Sequence, residues 1–187
     1  MMLKGMLDAT KVESFFADKE LGYILQLHES AIRNLSASYS HAVARLDSDA
    51  AAAVYTEDGV LSAFAGPEIV GRDKITEALR QTFTTLDFLV QTCTAGMVDI
   101  QGDRASASWS VTEWFRQKGK EELGCCFGLY EDQLVRGPDG WRFVRRRFHP
   151  FYRGTTPTSG KLYARPDVFA NDYAPWPFTG SSDNQIG

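Results

Sequence analysis

Cys125–Arg153 reads CCFGLYEDQLVRGPDGWRFVRRRFHPFYR, and the way this stretch folds back on itself sets the rest of the chain. Two runs of alternating apolar and polar residues flank Gly137-Pro138-Asp139-Gly140. Proline presets φ at the corner of a turn and glycine takes a left-handed position, so the stretch is predicted to form a long β-hairpin. On its first arm Cys126, Gly128, Tyr130, Asp132 and Leu134 share one face. On its second arm, strict alternation puts Trp141, Phe143, Arg145, Arg147 and His149 on one face and Val144, Arg146 and Phe148 on the other. A face that begins with Trp and Phe and ends with Arg and His leaves a core at a polar opening. That is how a pocket is built on a sheet.

Upstream, residues 104–117 and 88–100 also read as strands, with turns at Gln101-Gly102-Asp103 and Lys118-Gly119-Lys120. Before them the period changes. Ile32, Leu35, Tyr39, Ala42, Val43 and Leu46 repeat at three and four residues, which predicts a helix over 29–46 with Tyr39 in its buried stripe and His41 on the far side. Asp47 and Asp49 can cap a shorter helix running to Tyr55. Thr56-Glu57-Asp58-Gly59 turns into a strand at Val60–Phe64, Gly66-Pro67 turns again, and Ile69-Val70 pairs back. A third core helix covers 72–86 with Ile75, Leu79, Phe83 and Leu86 inward. Helices first and a meander of long strands afterwards predict an α+β fold.

The ends lie outside this core. Thr10-Lys11-Val12-Glu13 has capping-box spacing, and Val12, Phe15 and Phe16 follow, so residues 1–28 are read as a helical extension that covers its own domain or reaches a second subunit. Residues 154–187 are rich in Pro, Ser and Thr but hold Tyr163, Phe169, Tyr173, Trp176 and Phe178, which suits an ordered arm better than a floppy tail. A length of 187 residues with 43% hydrophobic content fits one domain with extensions. A net charge of −4 argues against nucleic acid as a partner, and alternation splits Arg145, Arg146 and Arg147 between faces, leaving no basic stripe. Three cysteines, two of them adjacent and pointing to opposite faces, suggest neither a disulfide framework nor a metal knuckle, and the expected setting is a reducing cytoplasm. The sequence shows no signal peptide, membrane-length apolar run, phosphate loop or metal-ligand spacing, so no metal or cofactor is expected.

Strand 104–117 carries the sharpest chemical signal. Ala105, Ala107, Trp109, Val111, Glu113 and Phe115 share a face, so Glu113 is a carboxylate among apolar side chains. It must either pair with Arg145 or Arg147 across the sheet, or have its pKa raised by desolvation and serve as an acid or base. His149, at the rim of the predicted pocket, is a second proton-transfer candidate or a structural histidine beside Pro150. Tyr39, Tyr55 and Tyr130 can orient a substrate oxygen or simply pack, as can Trp109 at mid-strand. Arg145 would offset negative charge. Asp47 and Asp58 suit capping or turns, with Asp47 close to the pocket end of the first helix.

These features resemble the SnoaL-like proteins of the nuclear transport factor 2-like superfamily. The resemblance rests on Gly128-x-Tyr130-x-Asp132, then Asp139-Gly140-Trp141-Arg142-Phe143 and the arginines after it. Upstream it rests on Tyr39, Leu46-Asp47-Ser48-Asp49, Thr56-Glu57-Asp58-Gly59 and Gly66 in order. It covers residues 29–153 and implies helices packed in the concave face of a strongly bent, mostly antiparallel sheet, a cone-shaped α+β barrel with a pocket. Because one fold hosts many chemistries, the activity is read from the residues themselves, and they suggest a cofactor-independent dehydratase, hydratase or isomerase acting on a small apolar oxygenated substrate. The catalytic set would be Glu113, His149, Tyr39 and Asp47, and the substrate contacts Tyr55, Trp109, Tyr130 and Arg145. The alternative is a non-catalytic binding or assembly subunit of the same fold. Either form is expected to be a homodimer or larger homo-oligomer with no membrane partner. Related lyases carry a catalytic histidine early in the strand after the third helix; here Leu86–Thr92 has none and Gln91 stands in that region.

Overall fold

The stripe from Ile32 to Leu46 anchors the first helix because burying it removes one apolar face from water. The computed structural model describes residues 9–63 and 66–157, with side chains from 19 to 155 among them. In it Ile32, Tyr39, Ala42 and Val43 are buried in the core, and Leu35 and Leu46 pack at its margin. The helix, α1 (Ala9–Ala44), runs unbroken across residue 28, so the expected N-terminal helix and first core helix are one rod. The Thr10–Glu13 box and the Val12, Phe15 and Phe16 stripe lie outside the described side chains. The rod ends in a Schellman turn: the amides of Leu46 and Asp47 donate to the carbonyls of Val43 and Ala42, each at 3.0 Å. Leu46 sits at φ 58°, a position glycine usually takes. Asp47 then caps α2 (Ser48–Ala53), its Oδ1 accepting from the Ala50 amide at 2.9 Å.

The strands are β1 (Tyr55–Ser62), β2 (Ile69–Val70), β3 (Leu86–Gln101), β4 (Arg104–Gln117), β5 (Glu122–Gly137) and β6 (Gly140–Pro157), with α3 (Arg72–Thr84) between β2 and β3. They form one open sheet in the order β2-β1-β6-β5-β4-β3, with only β1 and β6 parallel. The helices lie on one side of it, and α3 buries Ile75, Leu79 and Phe83. The α+β architecture expected from the order of periods is therefore present. The expected strand end at Phe64 and the aromatic arm beyond Pro157 lie outside the described residues.

One expectation about faces fails in β6. Its pairing with β5 slips by one residue: Leu134 faces Phe143 but Gln133 faces Arg145, so Val144 is an extra residue, a β-bulge. Trp141 and Phe143 are buried as predicted, but beyond the bulge the faces exchange. Arg146 and Phe148 point inward, and Arg145, Arg147 and His149 point out. A second slip, Phe127 facing Tyr152 and Gly128 facing Pro150, leaves Phe151 extra and turns Arg153 inward again, opposite Cys126.

Candidate active site

Asp132 shares the inner face with Tyr130 and Leu134, and a carboxylate there needs partners. Arg146 supplies them. Both side chains are 0% exposed. Arg146 Nε donates to Oδ1 at 2.8 Å and Nη2 to Oδ2 at 2.7 Å, while Trp109 Nε1 also donates to Oδ2 at 2.7 Å. Nη2 reaches Ser36 Oγ on α1 at 3.0 Å; Nη1 has no partner. Three rings cover the guanidinium, with Cζ 4.0 Å from the centroid of Phe143, 4.3 Å from Tyr130 and 4.6 Å from Tyr39. Burial pushes the phenol pKa values of Tyr39 and Tyr130 up, and the charge of Arg146 pulls both partly back. Burial thus keeps both tyrosines neutral, and the fixed cation beside them favours their hydroxyls as donors.

Beside this network four polar side chains cross the concave face in register. Gln91 on β3 faces Glu113 on β4, Glu113 faces Cys126 on β5, and Cys126 faces Arg153 on β6. The last three line a cavity of about 270 Å³, together with Tyr39 from α1, Leu79, Thr82 and Thr85 at α3, Leu61 on β1, and Leu86, Phe115, Tyr130 and Phe148. Gly124 and Gly128 make room for two of these walls: a Cβ on either would meet the Phe115 or Phe148 ring at under 3 Å. Gln91 Nε2 donates to Glu113 Oε2 at 2.8 Å and to the Tyr130 hydroxyl at 3.0 Å. Its Oε1 lies 3.8 Å from Cys93 Sγ, which accepts from Ser40 Oγ at 3.3 Å. The Tyr130 oxygen thus accepts from Gln91, and its own hydroxyl is directed to that of Tyr39. Burial raises the Glu113 carboxyl above its ordinary pKa, opposed by the Gln91 hydrogen bond and the charge of Arg153. Burial also raises the Cys126 thiol, which favours its protonated form.

Of the residues singled out in the sequence, Glu113, Tyr39 and Tyr130 come together in this cavity. The others do not. His149 lies on the opposite face, where Nε2 is 2.9 Å from Glu131 Oε2, so it does not converge with Glu113. Arg145 is also outside, paired with Glu68, which Arg147 approaches at 3.4 Å. Neither arginine pairs with Glu113 across the sheet. Val144 causes both corrections. Asp47 is occupied as the cap of α2. Tyr55 and Trp109 are buried beneath the site, Tyr55 packed edge-on to Tyr39 at 6.1 Å and Trp109 bound to Asp132. Gln91, Asp132, Arg146 and Arg153 do not stand out as site residues in the sequence alone. Asp132 carried a signal, since a carboxylate between Tyr130 and Leu134 on a buried face demands an inward cation. Among the described residues no group of three or more His, Cys, Asp and Glu is placed to hold a metal ion.

Several solved structures share this fold. One is a Novosphingobium aromaticivorans protein assigned as an aromatic ring hydroxylase, 26% identical over 70% of this chain and 93% of that one, with a TM-score of 0.64. A second from the same organism, assigned as a scytalone dehydratase, is 21% identical over 73% and 91% of the two chains, with a TM-score of 0.65. The type 2 hexachlorocyclohexane dehydrochlorinase LinA is 14% identical over 80% and 99%, with a TM-score of 0.66. At the latter two identities the likeness is one of fold. No curated protein matches the sequence significantly. The model of the SnoaL-like domain matches residues 27–147, the helices and sheet that build the cavity, and the chain belongs to that family.

Proposed function

We propose that the chain is a cofactor-independent acid/base enzyme of the dehydratase, hydratase or isomerase type, acting on a small, largely apolar, oxygenated substrate. The observation that carries this reading is Glu113: a carboxyl with a raised pKa in a cavity, held by Gln91 and bordered by two tyrosines. A carboxyl tuned upward by burial can take a proton from carbon and return it near neutral pH. Tyr39, with Tyr130 behind it, donates to the oxygen on which charge develops. Leu61, Leu79, Leu86, Phe115 and Phe148 suit an apolar ring and exclude water. The family and its structural neighbours include dehydratase- and dehydrochlorinase-type proteins, which agrees with this class of chemistry.

The test is to incubate the protein with cyclic β-hydroxyketones in deuterated water and follow exchange beside the carbonyl and loss of water by NMR. The wild type is expected to catalyse one or both, and Glu113→Gln to lose about 10²–10⁴-fold while keeping its fold. No exchange or elimination by the wild type, or equal rates in the variant, would overturn the reading.

A second reading, a non-catalytic binding or assembly subunit, draws on the exposed Leu21, Tyr23, Ile24, Leu25 and Leu27 of α1. They are surface that a partner could cover. In either reading the partner is a second copy of the chain. The adjacent free thiols of Cys125 and Cys126 suit a reducing cytoplasm, and no described helix is long and apolar enough to cross a membrane.

A further inference from the structure

Gln91 is buried on the inner face of β3, between Leu89 and Cys93, behind the cavity wall rather than on it. Its partners fix the orientation of its amide. The ionised Glu113 carboxylate only accepts, so the nitrogen faces Glu113 and the carbonyl is left to Cys93, whose Sγ lies 3.8 Å from Oε1. Ser40 Oγ on α1 meets that sulfur from the other side at 3.3 Å. Both amide hydrogens are then used: Nε2 donates to Glu113 Oε2 at 2.8 Å and to the Tyr130 hydroxyl at 3.0 Å. Tyr130, its oxygen accepting from Gln91, directs its own proton to the Tyr39 hydroxyl, and the two rings meet edge-on at 6.2 Å. The donors therefore run one way, from Gln91 through Tyr130 to Tyr39, and end on a side chain that lines the cavity.

We propose that Gln91 is the positioning residue of this site: one amide nitrogen presents Glu113 to the substrate as proton acceptor through Oε1 and, by way of Tyr130, presents Tyr39 as donor. This rests on the acid/base reading and deepens it by assigning the two ends of the substrate. The C–H that is broken meets Glu113 Oε1, and the carbonyl oxygen meets Tyr39. In isomerisation the C–H electron pair moves toward the carbonyl, the proton rests on Oε1, and it returns to a neighbouring carbon. In dehydration the same pair forms the new double bond, and the departing hydroxyl takes the proton from Oε1 and leaves as water. Holding both groups through one side chain fixes their separation and direction before the substrate arrives, which is the condition for proton transfer in a set geometry. A neutral histidine in place of Gln91 would have one N–H and could not serve both branches. Methionine would keep the shape and serve neither.

The experiment is carbon-13 NMR of the full chain labelled at the glutamate carboxyls and the tyrosine Cζ carbons, titrated from acid to neutral pH in the wild type, Gln91→Met and Gln91→Glu. Glu113→Gln, Tyr39→Phe and Tyr130→Phe assign the signals. Losing the amide removes a donor that favours the ionised carboxyl, so the Glu113 midpoint is expected to move up in Gln91→Met. It is expected to move further in Gln91→Glu, which keeps the native shape and adds a like charge, so either variant alone decides the matter. The Cζ signals of both Tyr130 and Tyr39 are expected to move in Gln91→Met. A Glu113 midpoint unchanged in both variants, or a Tyr39 signal that stays while that of Tyr130 moves, would overturn the proposal. In deuterium exchange on cyclic β-hydroxyketones, Gln91→Met is expected to lose about 10²-fold at its best pH, its acid limb displaced upward with the Glu113 midpoint. Tyr39→Phe is expected to lose more than Tyr130→Phe; equal losses would overturn the assignment of the two ends. Failure of the acid/base reading is distinguishable. Moved midpoints and signals without any exchange by the wild type leave the hold of Gln91 on both groups standing and remove the catalysis, and exchange with unmoved midpoints does the reverse.

Discussion

A carboxyl whose proton is held by burial leaves a mark on stability as well as on catalysis. The ordinary glutamate value is 4.5, and Glu113 lies above it because desolvation outweighs the Gln91 hydrogen bond and the Arg153 charge. The unfolded chain therefore releases this proton first as pH rises. The contribution of Glu113 to folding stability falls from the unfolded value up to the folded one and is level beyond it. Glu113→Gln removes that fall. Its melting midpoint relative to wild type is expected to climb between acid and neutral pH, which thermal denaturation at several pH values would measure; a constant difference would mean that Glu113 is not desolvated. Asp132 and Arg146 are a different case, since each has the other. Arg146→Met leaves a buried carboxylate with Trp109 as its remaining side-chain donor, and breaking such a pair typically costs about 3–5 kcal/mol. Trp109→Phe removes one neutral donor and is expected to cost about 1–3 kcal/mol, so chemical denaturation should rank the two in that order.

At the scale of elements, one residue decides which side chains meet the cavity. Deleting Val144 restores strict alternation in β6 from Gly140 to Pro150 with Arg146 still facing Asp132, because the deleted residue has no partner on β5. Deleting Arg147 instead would turn Phe148 out of the cavity and His149 into it. The first variant is expected to keep a cooperative melting transition and a native near-ultraviolet spectrum, and the second to lose both; equal outcomes would mean that the bulge does not set the faces. The same residue marks the limit of what sequence could reveal. The turn at Gly137–Gly140 is legible because Pro and Gly act locally, and the faces of β4 are legible because Ala105 to Phe115 alternate without interruption opposite β5. Glu113 could therefore be found. A bulge has no local signal in Phe143-Val144-Arg145: without it Arg145 rather than Arg146 would face Asp132, so the need of Asp132 for a cation does not by itself fix the register. Strict counting thus gave Arg145 and His149 the places that Arg146 and Phe148 occupy. Arg153 stands on the face strict counting would assign because two bulges cancel. From the sequence Gln91 stands out only as the place where a histidine is missing, since its role depends on register with Glu113.

At the scale of the whole molecule, the convex face of the sheet remains to be covered. Trp114, Phe127 and Tyr152 form a continuous aromatic strip there, Trp114 edge-on to Phe127 at 6.2 Å and Phe127 stacked on Tyr152 at 5.8 Å. Phe127 and Tyr152 are 36% and 54% exposed, and Val90 beside Trp114 is 41% exposed. The sequence pointed to this face through Val144 and Phe148; Phe148 turns inward, and the strip supplies a stronger reason. Half-apolar sheet faces and contiguous ring surface usually mark contacts. The expected state is a homodimer joined through this face, with the cavity on the opposite side of each sheet left open. Light scattering at micromolar concentration is expected to return twice the chain mass of 20.8 kDa, and Phe127→Ser with Tyr152→Ser to return the monomer with cavity binding intact. A chain beginning at residue 27 separates the two exposed apolar regions, because it removes Leu21 to Ile24 and Leu25 but keeps the strip. If that truncated chain is monomeric while the double variant stays dimeric, the interface belongs to α1. A wild type that is monomeric at every concentration would show that neither surface pairs with its copy.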